Sequence, residues 1–481
     1  MWLGIDIGTS SVKLSLLNDA GDEVATATSP LTVQTPHPYW SEQDPDSWWR
    51  ATIAACNDLR QRCDLNRVLG VGLSGQMHGA VLLDEADQAI RPAILWNDGR
   101  CFAEAEALAA QSWIADLAGA PPLPSFTAPK LMWLKRHDPG PFDRIRHILL
   151  PKDYVGLKLH GRHVTDKSDA AGTLWLDQAA QAWSADLCDA SGIDLNWLPT
   201  CVEGSEVVGQ ITADAAATLG LPKGVPVVAG GGDAAAGAIS VGAIKDGDCF
   251  LSLGTSGQLF VATDAYRPNP AEVVHAYAHC VPDMWFQMAA MLNGAHPMDW
   301  FGGICGAPVG DLLAEAAAVN SKDAPIFLPF LTGERTPHGD PHIRGGFHGL
   351  ADGMTRAHMM RAVVDGIAFS FADATDALTR AGAKFDRVPA IGGGARSDLL
   401  LQTIADVTGF TVTRGSGEAT GAALGAALLA APEDLREARR NTADGASQDF
   451  APAPSEIQAQ RLTTYRELTA QALTQSAIQR P

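Results

Sequence analysis

The chain has 481 residues, 46% apolar and 19% charged, which excludes a disordered chain and leaves room for two or three domains with a sizeable core. Its 35 lysines and arginines against 55 aspartates and glutamates give a net charge of −20. That balance excludes the basic footprint of a nucleic-acid or anionic-membrane binder, so a polyphosphate would have to be held locally by backbone N–H groups, helix N-termini and a divalent cation.

Residues 2–7 read as a buried strand, Gly8-Thr9-Ser10-Ser11 as a tight turn, and 12–17 as the alternating return strand of a hairpin. A helical period over 46–63 starts at Asp46 as its N-cap. Residues 68–73 form a strand ending in Ser74-Gly75-Gln76-Met77-His78-Gly79, and 93–96 a short one leading to Asn97-Asp98-Gly99-Arg100. Four prolines make 121–129 irregular. The strand 225–229 stops at Gly230-Gly231-Gly232-Asp233, and Ala234-Ala235-Ala236-Gly237 begin a helix for which Asp233 is an N-cap candidate. Strands at 249–253 and 258–262 then flank Gly254-Thr255-Ser256-Gly257. Helical patterns follow at 310–319 and 355–381, a strand at 389–392, the loop Gly393-Gly394-Ala395-Arg396-Ser397, and helices at 398–408 and 418–429. The tail from Pro432 is polar, with one helix around 455–472.

The eight cysteines include no CxxC pair, which argues against zinc-ribbon and thioredoxin-type sites and fits a reducing compartment. With no basic segment ahead of an apolar run that already contains Asp6, a cytoplasmic location is expected. Residues 227–244 are apolar but contain Asp233, and read as a buried strand entering a small-residue helix rather than a membrane span.

The two Gly-Thr-Ser turns lie half the chain apart, each between an apolar strand and an alternating one. The economical reading is two related α/β halves meeting near 244–248. A turn of Gly, Thr and Ser points several N–H groups one way and adds hydroxyl donors, so a phosphate can sit on it. Asp6 would lie beside such a phosphate, where a carboxylate serves Mg²⁺ directly or through water, and Asp233 could take a proton from an attacking alcohol. Gln76, Met77 and His78 suit a polyhydroxy ligand. Trp96 and Asp98 are open to two readings, the same pocket or a plain turn. No GxxxxGK[ST], HExxH or Gly-x-Ser-x-Gly occurs; Gly70, Gly72 and Gly75 match GxGxxG only with two glycines inside the strand; and His275 and His279 fall on an alternating stretch that separates them.

On Gly4–Lys13, 74–79, 91–100, 225–237, 251–257, 328–338 and 391–397, the sequence resembles the sugar kinases named after a Phe-Gly-Gly-Tyr signature. The resemblance implies two ribonuclease-H-like domains of the actin-like ATPase superfamily, with a hinge and a deep interdomain cleft. It implies a sugar-binding domain over 1–245, a nucleotide-binding domain over 246–435 and a polar tail over 436–481. It implies ATP as phosphoryl donor, Mg²⁺, and D-xylulose as acceptor, with Asp233 the base on its C5 hydroxyl and a candidate metal contact. Asp6 is then the carboxylate near the metal, and Gln76, Met77, His78, Trp96 and Asp98 are sugar contacts. Gly8, Thr9, Ser10, Lys13, Gly254, Thr255 and Ser256 serve the phosphates, and Gly393, Gly394, Ala395 and Ser397 the adenosine. Such kinases are often homodimers. The chain departs from the pattern at Ala234, where an Asn is usual, which leaves another ketopentose or a pentitol as the alternative substrate. A sugar-responsive regulator would need a basic module, and a dehydrogenase a true dinucleotide loop; neither is present in the sequence.

Overall fold

The structure, a computed structural model, describes residues 1–415, 421–443 and 448–478. Its frame is two seven-stranded sheets. The first contains β1 (Trp2–Ile7), β2 (Ser11–Leu17), β3 (Glu23–Pro30), β4 (Gly70–Gly75), β5 (Val207–Gln210), β6 (Pro226–Val228) and β7 (Gly231–Gly232), in the order β5–β6–β4–β1–β2–β3 with β7 also on β4. The second contains β8 (Cys249–Leu253), β9 (Gly257–Thr263), β10 (Val274–Ala278), β11 (Trp285–Met291), β12 (Arg387–Ile391), β13 (Thr411–Arg414) and β14 (Gln448–Phe450), in the order β10–β11–β9–β8–β12–β13–β14.

Each sheet opens the same way. The first strand pairs antiparallel with its hairpin partner and parallel with a much later strand, β1 with β4 and β8 with β12. The duplication expected from the Gly-Thr-Ser repeat is therefore architectural, and each half has the ribonuclease-H-like layout. The central strands are buried on both faces, as helix-covered strands must be: Leu3, Ile5, Ile7, Val71 and Leu73 fill one face of β1 and β4 and the glycines Gly4 and Gly72 the other, and Leu251, Leu253 and Val388 are buried in the second sheet.

The helix Ala422–Ala430 returns from the second half to lie against β1 and β4. Glycine makes that approach feasible. A Cβ on Gly4 would stand 1.8 Å from the Ala423 carbonyl oxygen, and one on Gly72 1.8 Å from that of Ala426. This is the physical use of Gly72, which the GxGxxG match does not describe. Residues 418–420, the start of the helix expected at 418–429, lie outside the described residues.

Three local expectations change. The first helix is Pro45–Arg60, capped by Asp44, whose side chain accepts the Asp46 N–H; Pro45 takes the first helical position, where its missing N–H costs nothing. The prolines end as irregular chain at Phe126, and Thr127–His137 is helical. The tail is less plain than expected, with an added helix Glu433–Ala443 and strand β14 on β13 before its final helix Glu456–Ile478. The eight cysteines are free thiols. Among the described residues no helix is long and apolar enough to cross a membrane.

Candidate active site

Sheet register brings the two carboxylates to one edge. Asp6 of β1 stands opposite Lys13 on β2 and Ser74 on β4, and Ser74 in turn pairs with Gly231 of β7. These parallel strands end together, at the carboxyl edge where open α/β sheets bind ligands. Gly232 caps the helix Asp233–Ser240, so Asp233 is its first residue and not its N-cap. The Asp233 Oδ1 accepts the Ala234 N–H at 2.8 Å.

Burial and the neighbouring Asp233 charge push the Asp6 carboxyl up to about 7, against a smaller pull from Lys13. Asp233 is open to solvent at the cleft floor yet surrounded by protein, which raises it to about 6, with the Ala234 N–H opposing. The Asp6 Oδ1 is buried with no hydrogen-bond partner. An unpartnered carboxylate oxygen beside a second carboxylate fits a divalent cation.

Above Asp233 lies a cavity of about 260 Å³, small beside the roughly 300–1,000 Å³ of drug-sized ligand sites. One wall is Met77, His78 and Trp96. His78 Nδ1 stands 2.6 Å from the Gly172 carbonyl oxygen, which can only accept, so Nδ1 carries the proton. Burial first, then Lys130, drive the His78 pKa down to about 3. The ring is neutral and Nε2 is its acceptor, ready for a hydroxyl proton. His78 has φ 69°, and its carbonyl is held by Lys130 Nζ at 2.8 Å and Thr127 Oγ1 at 3.2 Å.

The opposite wall comes from the second half: Gln258, His275, Tyr277 and Arg335. None of the four was assigned to a site from the sequence. His275 and Tyr277 share a face of β10 by its period of two, the one signal that could have found them. The Tyr277 hydroxyl and His275 Nδ1 are buried without a partner. His279, as expected, is apart, at hydrogen-bond distance (3.1 Å) from the Ala243 carbonyl oxygen.

Both Gly-Thr-Ser turns stand at strand ends facing solvent, Ser10, Thr255 and Ser256 exposed and Lys13 exposed on β2. The Thr9 hydroxyl, however, accepts from Trp96 Nε1 at 3.0 Å and donates to Gln76 Oε1 at 2.9 Å. Its single proton is committed, so this turn offers backbone N–H groups and not a threonine donor. In the second half, Ala295 N–H donates to Gly254 O at 2.7 Å and Gly294 N–H to Thr255 O at 3.0 Å. Gly392 has φ 91° and packs on the Leu253 carbonyl, while nothing lies above Gly393. The Gly393–Ala395 loop therefore borders the Gly254 turn. Ser397 caps the helix Asp398–Thr408 through Leu400 N.

Two expected sugar contacts are elsewhere. Gln76 is buried and does not line the cavity; its amide ties Thr9 to Gln43. Asp98 is buried in an ion pair, accepting from Ser41 N at 2.6 Å and from Arg100 Nε at 2.8 Å and Nη2 at 2.6 Å. A polar strand tip looks the same in sequence whether it faces a ligand or braces a loop. Outside the cleft, Asp87, His147 and His163 lie together, but the imidazoles stack at 3.9 Å and 19°. His163 Nε2 stands 2.7 Å from Asp87 Oδ1, and the three residues offer ligand atoms within 4.8 Å of one another.

Models of the FGGY family of carbohydrate kinases match the chain, the N-terminal domain over residues 1–240 and the C-terminal domain over 249–432. The chain is 44% identical over 435 residues to xylulose kinase of Escherichia coli (strain K12), covering 89% of each. Among solved structures it is similar to a "xyloylose kinase" from Brucella ovis, with TM-score 0.90, 40% identity and coverage of 99% and 98%. It is also similar to xylulose kinase from Rhodospirillum rubrum, with TM-score 0.92, 29% identity and 99% of both chains covered.

Proposed function

The chain belongs to the FGGY family of carbohydrate kinases, and from that premise we propose that it transfers the γ-phosphoryl group of ATP to D-xylulose, giving D-xylulose 5-phosphate and ADP. The observation that carries the reading is Asp233 at the floor of a small cavity lined by polar and apolar side chains alike, beside Asp6 and at the carboxyl edge of the sheet. The relatives named above are xylulose kinases, which supports the choice of sugar.

In this reading the sugar lies between the His78 and Arg335 walls, with its C5 hydroxyl toward Asp233. Asp233 accepts the hydroxyl proton as the oxygen attacks the γ-phosphorus and the bond to the β-phosphate oxygen breaks. Neutral His78 accepts a hydrogen bond from a second hydroxyl. The turn N–H groups around Gly8–Ser10 and Gly254–Ser256 cradle the phosphates, and the Gly393–Ser397 loop takes the adenosine. Asp6, with Asp233 beside it, would hold Mg²⁺, which when bound neutralises charge on the phosphates. The division into a sugar domain over 1–245 and a nucleotide domain over 246–435 belongs to this proposal, with the Ala422–Ala430 helix packed back on the first sheet.

Sugar-dependent ADP release by the parent chain and by Asp233→Ala tests it. The variant is expected to lose roughly 10²–10⁴-fold in kcat while still binding ATP. A variant at the parental rate would contradict the assignment.

A further inference from the structure

The peptide that places Asp233 has no side chain of its own to fix it. Gly232 sits with Met77 3.0 Å from where a Cβ would be, and Gly231 would meet Cys280. Its N–H nevertheless has a defined partner, donating to Ser168 Oγ at 3.1 Å. Ser168 in turn donates its hydroxyl proton to Asp166 Oδ2. The same carboxylate caps the short helix Lys167–Ala170, accepting Ser168 N at 2.8 Å. Its other oxygen is 2.9 Å from Lys152 Nζ. Lys152 also lies 2.5 Å from Asp153 and 3.6 Å from Asp169, and all four side chains are buried.

One cation among three carboxylates, out of water, is a poor way to gain stability; a hydrophobic cluster of the same volume commonly does as well or better. What the cluster does supply is direction. With its proton held by Asp166, the Ser168 oxygen has lone pairs left for the Gly232 N–H alone among its observed partners. The chain of contacts runs from Lys152 through Asp166 and Ser168 to the residue before Asp233.

We propose that Ser168 is a positioning residue for Asp233, its hydroxyl aimed by the buried Lys152–Asp166 pair; this rests on the reading of Asp233 as the base. It touches no reacting atom. It sets where the Asp233 carboxylate stands, and a misplacement of about 1 Å in such a group can cost about 100-fold in rate. The charged and titratable groups facing Asp233 are Asp6 on β1, with Lys13 beside it on β2, Asp169 on the short helix, with Lys152 behind it, and His78, His275, Tyr277 and Arg335 around the shared cavity.

The test compares Ser168→Ala, Ser168→Thr and Asp233→Ala on the full chain, with kcat, sugar KM and the kcat–pH profile measured for each. Ser168→Ala is expected to lose about 10–100-fold in kcat with sugar KM held within about threefold. Its acid limb should move to higher pH, because a drifting turn loosens the Ala234 N–H contact that favours ionised Asp233. Ser168→Thr keeps the oxygen and should recover most of the loss. Parental kcat and acid limb in Ser168→Ala, beside an inactive Asp233→Ala, would overturn the positioning role alone. Equal losses in Ser168→Ala and Ser168→Thr would also overturn it, since the oxygen would then not be what matters. A fully active Asp233→Ala would instead remove the base reading on which the proposal rests.

Discussion

Trp96 Nε1 donates to Thr9 Oγ1 at 3.0 Å, so a ring that walls the cavity above Asp233 also holds the first Gly-Thr-Ser turn. Gln76 completes the brace from the other side of the same hydroxyl at 2.9 Å. Trp96→Phe keeps the ring face and removes the donor. A net hydrogen bond is worth about 1 kcal/mol, so kcat/KM should fall about fivefold for sugar and ATP alike. Unchanged kcat/KM would show that the brace does not matter.

Asp6→Asn should change how stability depends on pH. The native Asp6 carboxyl is raised to about 7 from an ordinary 3.8, so between those values the folded chain binds more protons than the unfolded one, and stability is lost as pH rises. Asn does not titrate. The variant should therefore gain in melting temperature over the parent as pH rises from 4 to 7, with a plateau above. Taken as a difference, the measurement cancels the buried histidines His78, His275 and His279, lowered to about 3, 4 and 4. A flat difference, or one of opposite sign, would contradict the assignment.

Asp98→Asn should damage the fold and not the sugar site. Asp98 and Glu42 together neutralise the buried Arg100, which lies 3.6 Å over the Trp40 ring. Breaking one arm of a buried pair costs about 3–5 kcal/mol. The melting temperature should drop while sugar KM of the remaining folded protein stays put. A raised sugar KM with an unchanged melting temperature would restore Asp98 as a substrate contact.

Much of this was legible because strands and turns carry local signals. The helix expected at 398–408 coincides with Asp398–Thr408, and the strand at 249–253 with β8. Asp6, His78 and Asp233 stood out in the sequence because Asp6 is near the carboxyl end of an apolar strand and the other two come just after one. The second wall was not legible. Alternation on β10 says that His275 and Tyr277 share a face, but only the packing of the two halves decides that this face meets the cleft. Gln76 was misplaced for a related reason, since its role depends on Thr9, 67 residues away. Strand β14 is three residues long in a polar tail, and only its pairing with β13 reveals it.

Ala234→Asn probes acceptor choice. Ala234 lines the cavity next to Asp233, and an amide there adds a donor and an acceptor for one sugar hydroxyl, worth about 1 kcal/mol or roughly fivefold. The ranking of ketoses by kcat/KM should change. An identical ranking in parent and variant would show that position 234 does not read the sugar.

The most direct measurement is ADP release from MgATP with D-xylulose, D-ribulose, L-xylulose, L-ribulose, D-fructose, glycerol, xylitol and D-arabinitol, beside a control without sugar. D-xylulose is expected to give the dominant signal. A different ketose or a pentitol in first place would contradict the proposed acceptor, and no sugar-dependent ADP from folded, ATP-binding protein would contradict the proposed reaction.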